Sequence, residues 1–395
     1  MADRYWVGGT GQWDASDTTH WSASSGGAGG ASVPTASDDV YIDDNSYDVI
    51  TFNYVYLDGS IYTAVCKSLT VTTTLIRINA NIVGPSLTRA FIRVHGDLTV
   101  KSGCFTCNGH IIMCGTSQQN ITITDGSDMN GMGFLFGESS GQIGPFVFQS
   151  DCFTSTTSGY AKWELVRGTV DFNGYNMGEG SAVAYDQQMI SAGSETRELR
   201  LGSGTHYFKQ FNFTGTNMTL VAGTSNVQLS LNFSFVGAGF TYYNVYFYKQ
   251  SGPDNLSFLG NNTFNILEID NTNSFSTDRD IRLANSSTQT AFKFKLRGNS
   301  TYPLTIRSAS TATTHTLVQT SGTADASYCE IRDSIASGGA SFEARNSVDL
   351  GNNTGWEFIT RHEGGDGFFL FSVLMAMLLS TNLLCLFMAP HRRGR

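Results

Sequence analysis

Charge is what this sequence has least of. Asp, Glu, Lys and Arg make up 14% of its 395 residues, against about a quarter in ordinary soluble proteins. The balance is acidic, at −9. Phosphate backbones are held by clustered Lys and Arg. No such cluster stands before the basic end His391-Arg392-Arg393-Gly394-Arg395, so nucleic acid is not an expected partner. Proline is scarce too, six residues beside 43 glycines, which speaks for turns and not for Pro-rich disorder. The seven cysteines, Cys66, Cys104, Cys107, Cys114, Cys152, Cys329 and Cys385, are odd in number in a long chain, which speaks against a disulfide framework. Cys104, Cys107 and Cys114 around His110 resemble a metal knuckle, but no second pair stands at zinc spacing. The plain reading is small side chains buried at adjacent turns. The start, Met1-Ala2-Asp3-Arg4-Tyr5-Trp6, has no basic stretch, apolar core or cleavage site of a secretory signal.

Helical periodicity is missing as well. No stretch before Gly367 repeats apolar residues every 3.6 positions. Short runs alternate apolar and polar residues with period two: Ser68 to Thr72, Leu75 to Ile78, Ala90 to Val94, Asp97 to Val100, Ile121 to Thr124. That period belongs to half-buried strands, and the Thr, Val, Ile, Phe and Tyr content agrees. Strands follow strands without helical crossovers. Propeller blades would repeat visibly, and serial sandwiches would show boundaries. A stacked coil needs neither. The expected fold is therefore all-β: a single-stranded right-handed parallel β-helix (β-solenoid) of roughly 20 to 25 residues per coil, with strands ~4.8 Å apart.

What is present in excess is Trp near the start. Trp6, Trp13 and Trp21 are three of five tryptophans, interleaved with Gly8, Gly9 and Gly11. Solenoids expose sheet edges at their ends and need caps. Residues 1-47 are read as an N-terminal Trp/Gly cap, 48-358 as the β-helix with Trp356 sealing its far end, and 359-395 as a linker and C-terminal hydrophobic helix with a basic end.

The block from Tyr5-Trp6-Val7-Gly8-Gly9-Thr10-Gly11-Gln12-Trp13 through Val40-Tyr41-Ile42-Asp43 resembles the start of β-helix-like proteins of tailed bacteriophages and environmental bacteria. Gly168 to Tyr175, Tyr328 to Ser334 and Val348 to Phe358 are similar to later parts of the same family. The resemblance implies a virion appendage of tail-fibre or tailspike type, non-enzymatic, displaying a face to a host-surface glycan or receptor. By phage analogy it also implies self-association, with a homotrimer as the plausible form. The alternatives are a membrane-anchored bacterial surface adhesin and a polysaccharide-degrading tailspike.

Site candidates follow. The aromatic cluster Phe240 to Tyr248 offers Tyr242, Tyr243, Tyr246 and Tyr248 as glycan or partner contacts, or else as a packed aromatic face. Asp38, Asp39, Asp43 and Asp44, and later Asp270, Asp278 and Asp280, are the acids that glycoside cleavage would need in pairs. For the first group a solvated turn is the plain reading, and Ca2+ binding is the alternative to catalysis. No other cofactor is expected. The apolar run Phe368 to Ala389 is long enough to cross a bilayer. Membrane association, burial in an assembly and a poorly ordered tail are its three readings.

Overall fold

A computed structural model describes residues 1–48, 53–57, 64–79, 91–105, 109–138, 143–154, 162–178, 187–230, 234–248, 255–272 and 279–359. Among these residues there is no α-helix. The chain is all-β, with its strands in three long sheets of ten, thirteen and twelve strands and a three-stranded one. Nearly every pairing is parallel, between strands one circuit apart in sequence. One circuit, here called a rung, visits each side in turn: Gln188–Ser191, Arg197–Arg200 and Thr205–Phe208, before Gln210–Phe213 returns beside the first. This is compatible with a β-solenoid. Thirteen strands at ~4.8 Å each give a stack about 60 Å long.

Register puts like on like. Val40 pairs with Leu69, Leu69 with Leu98 and Leu98 with Ile121. On the thirteen-stranded side Ala64, Ile92, Ile111, Phe134, Trp163, Met189 and Phe211 are successive partners. Every one of these residues is buried. The period-two alternation has one cause: each strand sends alternate side chains into the shared interior. A slip of one residue would turn an entire row outward.

Rungs are less uniform than the expected 20 to 25 residues. The step is 29 residues from Leu69 to Leu98, 25 from Leu304 to Cys329 and 18 from Glu330 to Val348. Corners absorb the difference, because only the strands must stay in register.

The N-terminal block is not a separate lid. Asp3–Trp6 pairs in parallel with Asp39–Ile42, and Gly11–Trp13 with Asn53–Leu57, so the first rung runs up to residue 38, Asp39–Ile42 begins the second, and the boundary expected at 47 falls inside the stack. The capping part is Trp21–Ser22. It lies antiparallel on Asp3–Trp6, with Trp6 opposite Trp21, and ends the ten-stranded sheet. Trp6, Trp13 and Trp21 are wholly buried and pack edge-to-face at 5.0–5.1 Å. Trp6 Nε1 donates to the Gly9 carbonyl at 2.7 Å. Gly9 adopts φ +70°, a conformation that glycine enters without a Cβ penalty.

The far end is closed less fully. Trp356 is half-buried, rests edge-on against Phe342 at 5.2 Å and donates from Nε1 to Ser334 Oγ at 3.0 Å. Val348 and Leu350 of the last rung stay exposed. The expected C-terminal helix, Phe368 to Ala389, lies outside the described residues.

Candidate functional site

The ten-stranded sheet ends at Met218–Val221. Beyond it the twelve-stranded side lengthens: Thr241–Tyr248, Thr263–Asp270 and Thr288–Arg297 run eight, eight and ten residues. Each long strand bends in its middle, where alternation breaks. Tyr242 points in and Tyr243 out, but Asn244 and Val245 are both buried. In the next rung Phe264 is buried and Asn265 and Ile266 are both half-buried. In the third Ala291 is buried, and Phe292 and Lys293 are both exposed. Tyr242, Phe264 and Ala291 are register partners, as are Asn244, Ile266 and Lys293. The bends therefore stack into one corner, along which Tyr243, Asn265 and Phe292 form a row.

This row is the most distinctive surface of the shaft. Phe292 is 66% exposed and Tyr243 37%. Two strand spacings, about 10 Å, separate them. A chain of amides stiffens the corner: Asn244 donates to Asn226 Oδ1 at 2.9 Å, and Asn265 donates to Asn244 Oδ1 at 2.8 Å. Rigidly held exposed aromatics suit stacking on sugar rings or packing on a partner.

The four tyrosines expected as contacts part company here. Tyr242 is a correction. It is buried, its ring stacks on Phe264, and its hydroxyl donates to the Gly237 carbonyl at 3.0 Å. Burial pushes that phenol well above its usual range, so it belongs to the core. Tyr243 stands on the exposed corner. Tyr246 is half-buried on the adjoining flat face, in register with Glu268 and Lys295, which pair at 2.8 Å. Burial, then the Glu268 charge, raises its phenol. Tyr248 ends its strand opposite Asp270. Phe292 and Asn265 were not anticipated. What sets them apart is a parity shift visible only in the structure: Ala291 and Phe294 face inward three residues apart, which a straight strand forbids.

Most of the candidate carboxylates are engaged in local hydrogen bonds or ion pairs. Asp38 accepts hydrogen bonds from Ala2 N, Thr35 N and Thr35 Oγ1 at 2.7–3.0 Å. Burial works to raise its pKa, but those hydrogen bonds prevail and hold it below the usual value. Asp39 pairs with Lys67 at 3.0 Å. Asp43 accepts from Asn45 N and Ser46 Oγ, and Asp44 is exposed on the turn. Asp270 accepts from Thr272 N and Oγ1, while Asp280 lies between Arg282 and Arg307, each at 2.7 Å. Asp278 lies outside the described residues. Among the described residues no group of three or more His, Cys, Asp or Glu is placed to hold a metal ion.

Two side-chain pairs resemble catalytic ones. Cys114 Sγ lies 3.6 Å from His95 Nε2, but burial pushes the thiol up to about 12, so it stays protonated and a poor nucleophile. Ser308 Oγ lies 3.1 Å from His315 Nδ1, yet both residues are fully buried and no substrate reaches them. Cys66, Cys114, Cys152 and Cys329 are buried free thiols, and Cys104 is buried as well. His110 is buried beside this interior. Cys107 and Cys385 lie outside the described residues.

No helix among the described residues is long and apolar enough to cross a membrane. No family model matches the chain, and no curated protein or solved structure matches it.

Proposed function

We propose that the chain is a right-handed parallel β-helix serving as a rigid, non-enzymatic virion appendage of tail-fibre or tailspike type, and that its corner at Tyr243 and Phe292 contacts a host-surface glycan or receptor. The right hand follows from strand twist, which makes parallel crossovers right-handed almost without exception. The observation that carries the reading is the corner row: two exposed aromatics fixed about 10 Å apart on stacked rungs, where a free-standing Phe gains nothing from water. Self-association, as a homotrimer, would repeat the row and multiply weak contacts into avidity.

The apolar run Phe368 to Ala389 favours a second reading, a surface adhesin held in a membrane. Immunogold labelling of intact virions and of cell surfaces with antibody to the shaft separates the two. Binding is tested by adding the full chain to purified capsular and lipopolysaccharide glycans. Saturable binding that Tyr243→Ala with Phe292→Ala abolishes supports the corner. Oligosaccharide release from the glycans would instead establish the polysaccharide-degrading alternative.

A further inference from the structure

The corner formed by residues 331–334 holds the last two rungs together from both sides. From the interior, the His315 backbone N donates to the Asp333 carbonyl at 3.0 Å, and Ser308 Oγ approaches the same carbonyl at 3.4 Å. From the terminal rung, Asn352 Nδ2 donates to Asp333 Oδ1 at 2.7 Å, and Asn353 Nδ2 donates to the Ile331 carbonyl at 2.7 Å. The Ser334 backbone N donates to Asn353 Oδ1, and Trp356 Nε1 donates to Ser334 Oγ, both at 3.0 Å. Ser308, His315 and Ser334 are fully buried, and Asp333 nearly so.

His315 sits at the centre of this clamp with one ring nitrogen satisfied. Nδ1 meets Ser308 Oγ, while Nε2 is buried without a hydrogen-bond partner among the described residues. The network assigns the tautomer: Nδ1–H donates to Ser308 Oγ, whose O–H turns to the Asp333 carbonyl, and Nε2 carries a bare lone pair. A second proton would have to go on Nε2. There it would leave an N–H without an acceptor, and a cation, in an apolar interior. The charged groups around the corner are Asp333 on the 331–334 turn, Arg332 beside it at 3.3 Å, and Arg307 on the outer face of Leu304–Ser308, which pairs with Asp280. Asp333 is the counter-charge that His315 feels. Its Oδ1 accepts from Asn352, its Oδ2 has only the ion-pair contact with Arg332 and no hydrogen bond among the described residues, and burial still prevails, holding the imidazole down at about 4.

We infer that His315 makes the C-terminal end of the shaft an acid-released clamp: taking up a proton frees the 331–334 corner and lets the rungs from His315 to Ile359 open while the N-terminal rungs stay closed. Opening exposes the inner faces of His315–Val318 and Ser341–Arg345, including Leu317 and Phe342. The inference concerns the end of the stack and is independent of what the aromatic corner binds.

Hydrogen exchange on the full chain, corrected for intrinsic rates, tests it. Between pH 6.5 and pH 4, protection in peptides spanning 315–318, 329–337 and 356–359 is expected to fall by about a hundredfold, with little change in Leu69–Val71 and Leu98–Lys101. In His315→Gln, neutral at every pH, that fall should vanish. Equal changes at both ends of the wild-type chain, or the same C-terminal loss in His315→Gln, would overturn the inference. Should His315→Gln fail to fold, the NMR titration of His315 in the wild-type chain decides: a native midpoint above 6 sinks the clamp, and one near 4 upholds it.

Discussion

Trp6 and Trp21 are backbone partners across the one antiparallel strand pairing among the described residues, and their rings meet at 90° with centroids 5.1 Å apart. The geometry turns the end of a parallel sheet back on itself. His20 completes it, lying flat on Trp6 at 4.8 Å with Nδ1 2.8 Å from the Val7 carbonyl. Trp21→Ala should cost about 3–5 kcal/mol, read as a lower urea midpoint, and should expose the first sheet edge to aggregation. Trp21→Phe keeps the edge-to-face contact and should lose much less.

Gly11 has no room to spare. A Cβ there would run into the His20 ring, so Gly11→Ala must push the imidazole off Trp6. Destabilisation of about 1–3 kcal/mol is expected, with a changed tryptophan fluorescence. The double variant Gly11→Ala with His20→Ala should recover part of the Gly11→Ala loss, because the colliding ring is gone.

Asn244 is the middle of the amide chain from Asn226 to Asn265. Asn244→Leu strands a donor on one neighbour and an acceptor on the other. A loss of about 1–3 kcal/mol follows, and Asn226→Leu in the same chain should cost less than the sum of the two single changes. Thermal unfolding of the four proteins checks this.

Tyr243→Ala and Phe292→Ala should each leave stability within about 0.5 kcal/mol, as exposed positions do, while weakening attachment to the recognised surface. Loss of stability without loss of binding would return these aromatics to the fold.

Acid should weaken the middle of the shaft as well. His206 is fully buried, and burial lowers its imidazole to about 4, against an opposing hydrogen bond to the Leu201 carbonyl. The unfolded chain binds this proton near pH 6.5 and the folded chain does not. The unfolded state therefore holds more protons, and stability rises with pH across that window. The contribution is fully present above pH 6.5 and is lost as pH falls to about 4, on the order of 3 kcal/mol. His206→Gln should flatten the slope of unfolding free energy against pH between those limits.

Much of this was legible in the residues. Period two located Leu69–Val71, Ile76–Asn79, Phe91–Val94 and Leu98–Lys101 to within a residue or so, because a half-buried strand imposes that period. The three tryptophans announced a closed end. The bends did not show: nothing marks Asn244, Asn265 and Phe292 as corner positions, since the break in alternation comes from stacking against neighbouring rungs. Tyr242 misled for the same reason. Its strand parity, set by contact with Phe264, decides that it is core, and composition cannot. Arg197 was equally invisible. It is buried, and its guanidinium donates to the carbonyls of Gly193, Glu195 and Thr216, a role for which a charged residue in a strand gives no sign.

The inter-strand hydrogen bonds of every rung point along the length of the stack. Tension applied at the two ends therefore loads them head-on, in series, while the sides of each rung share the load in parallel. The weakest rung gives first and the others hold, so the chain should pay out under force one rung at a time, 18 residues from Glu330 to Val348 or 29 from Leu69 to Leu98, lengthening while most of it remains folded.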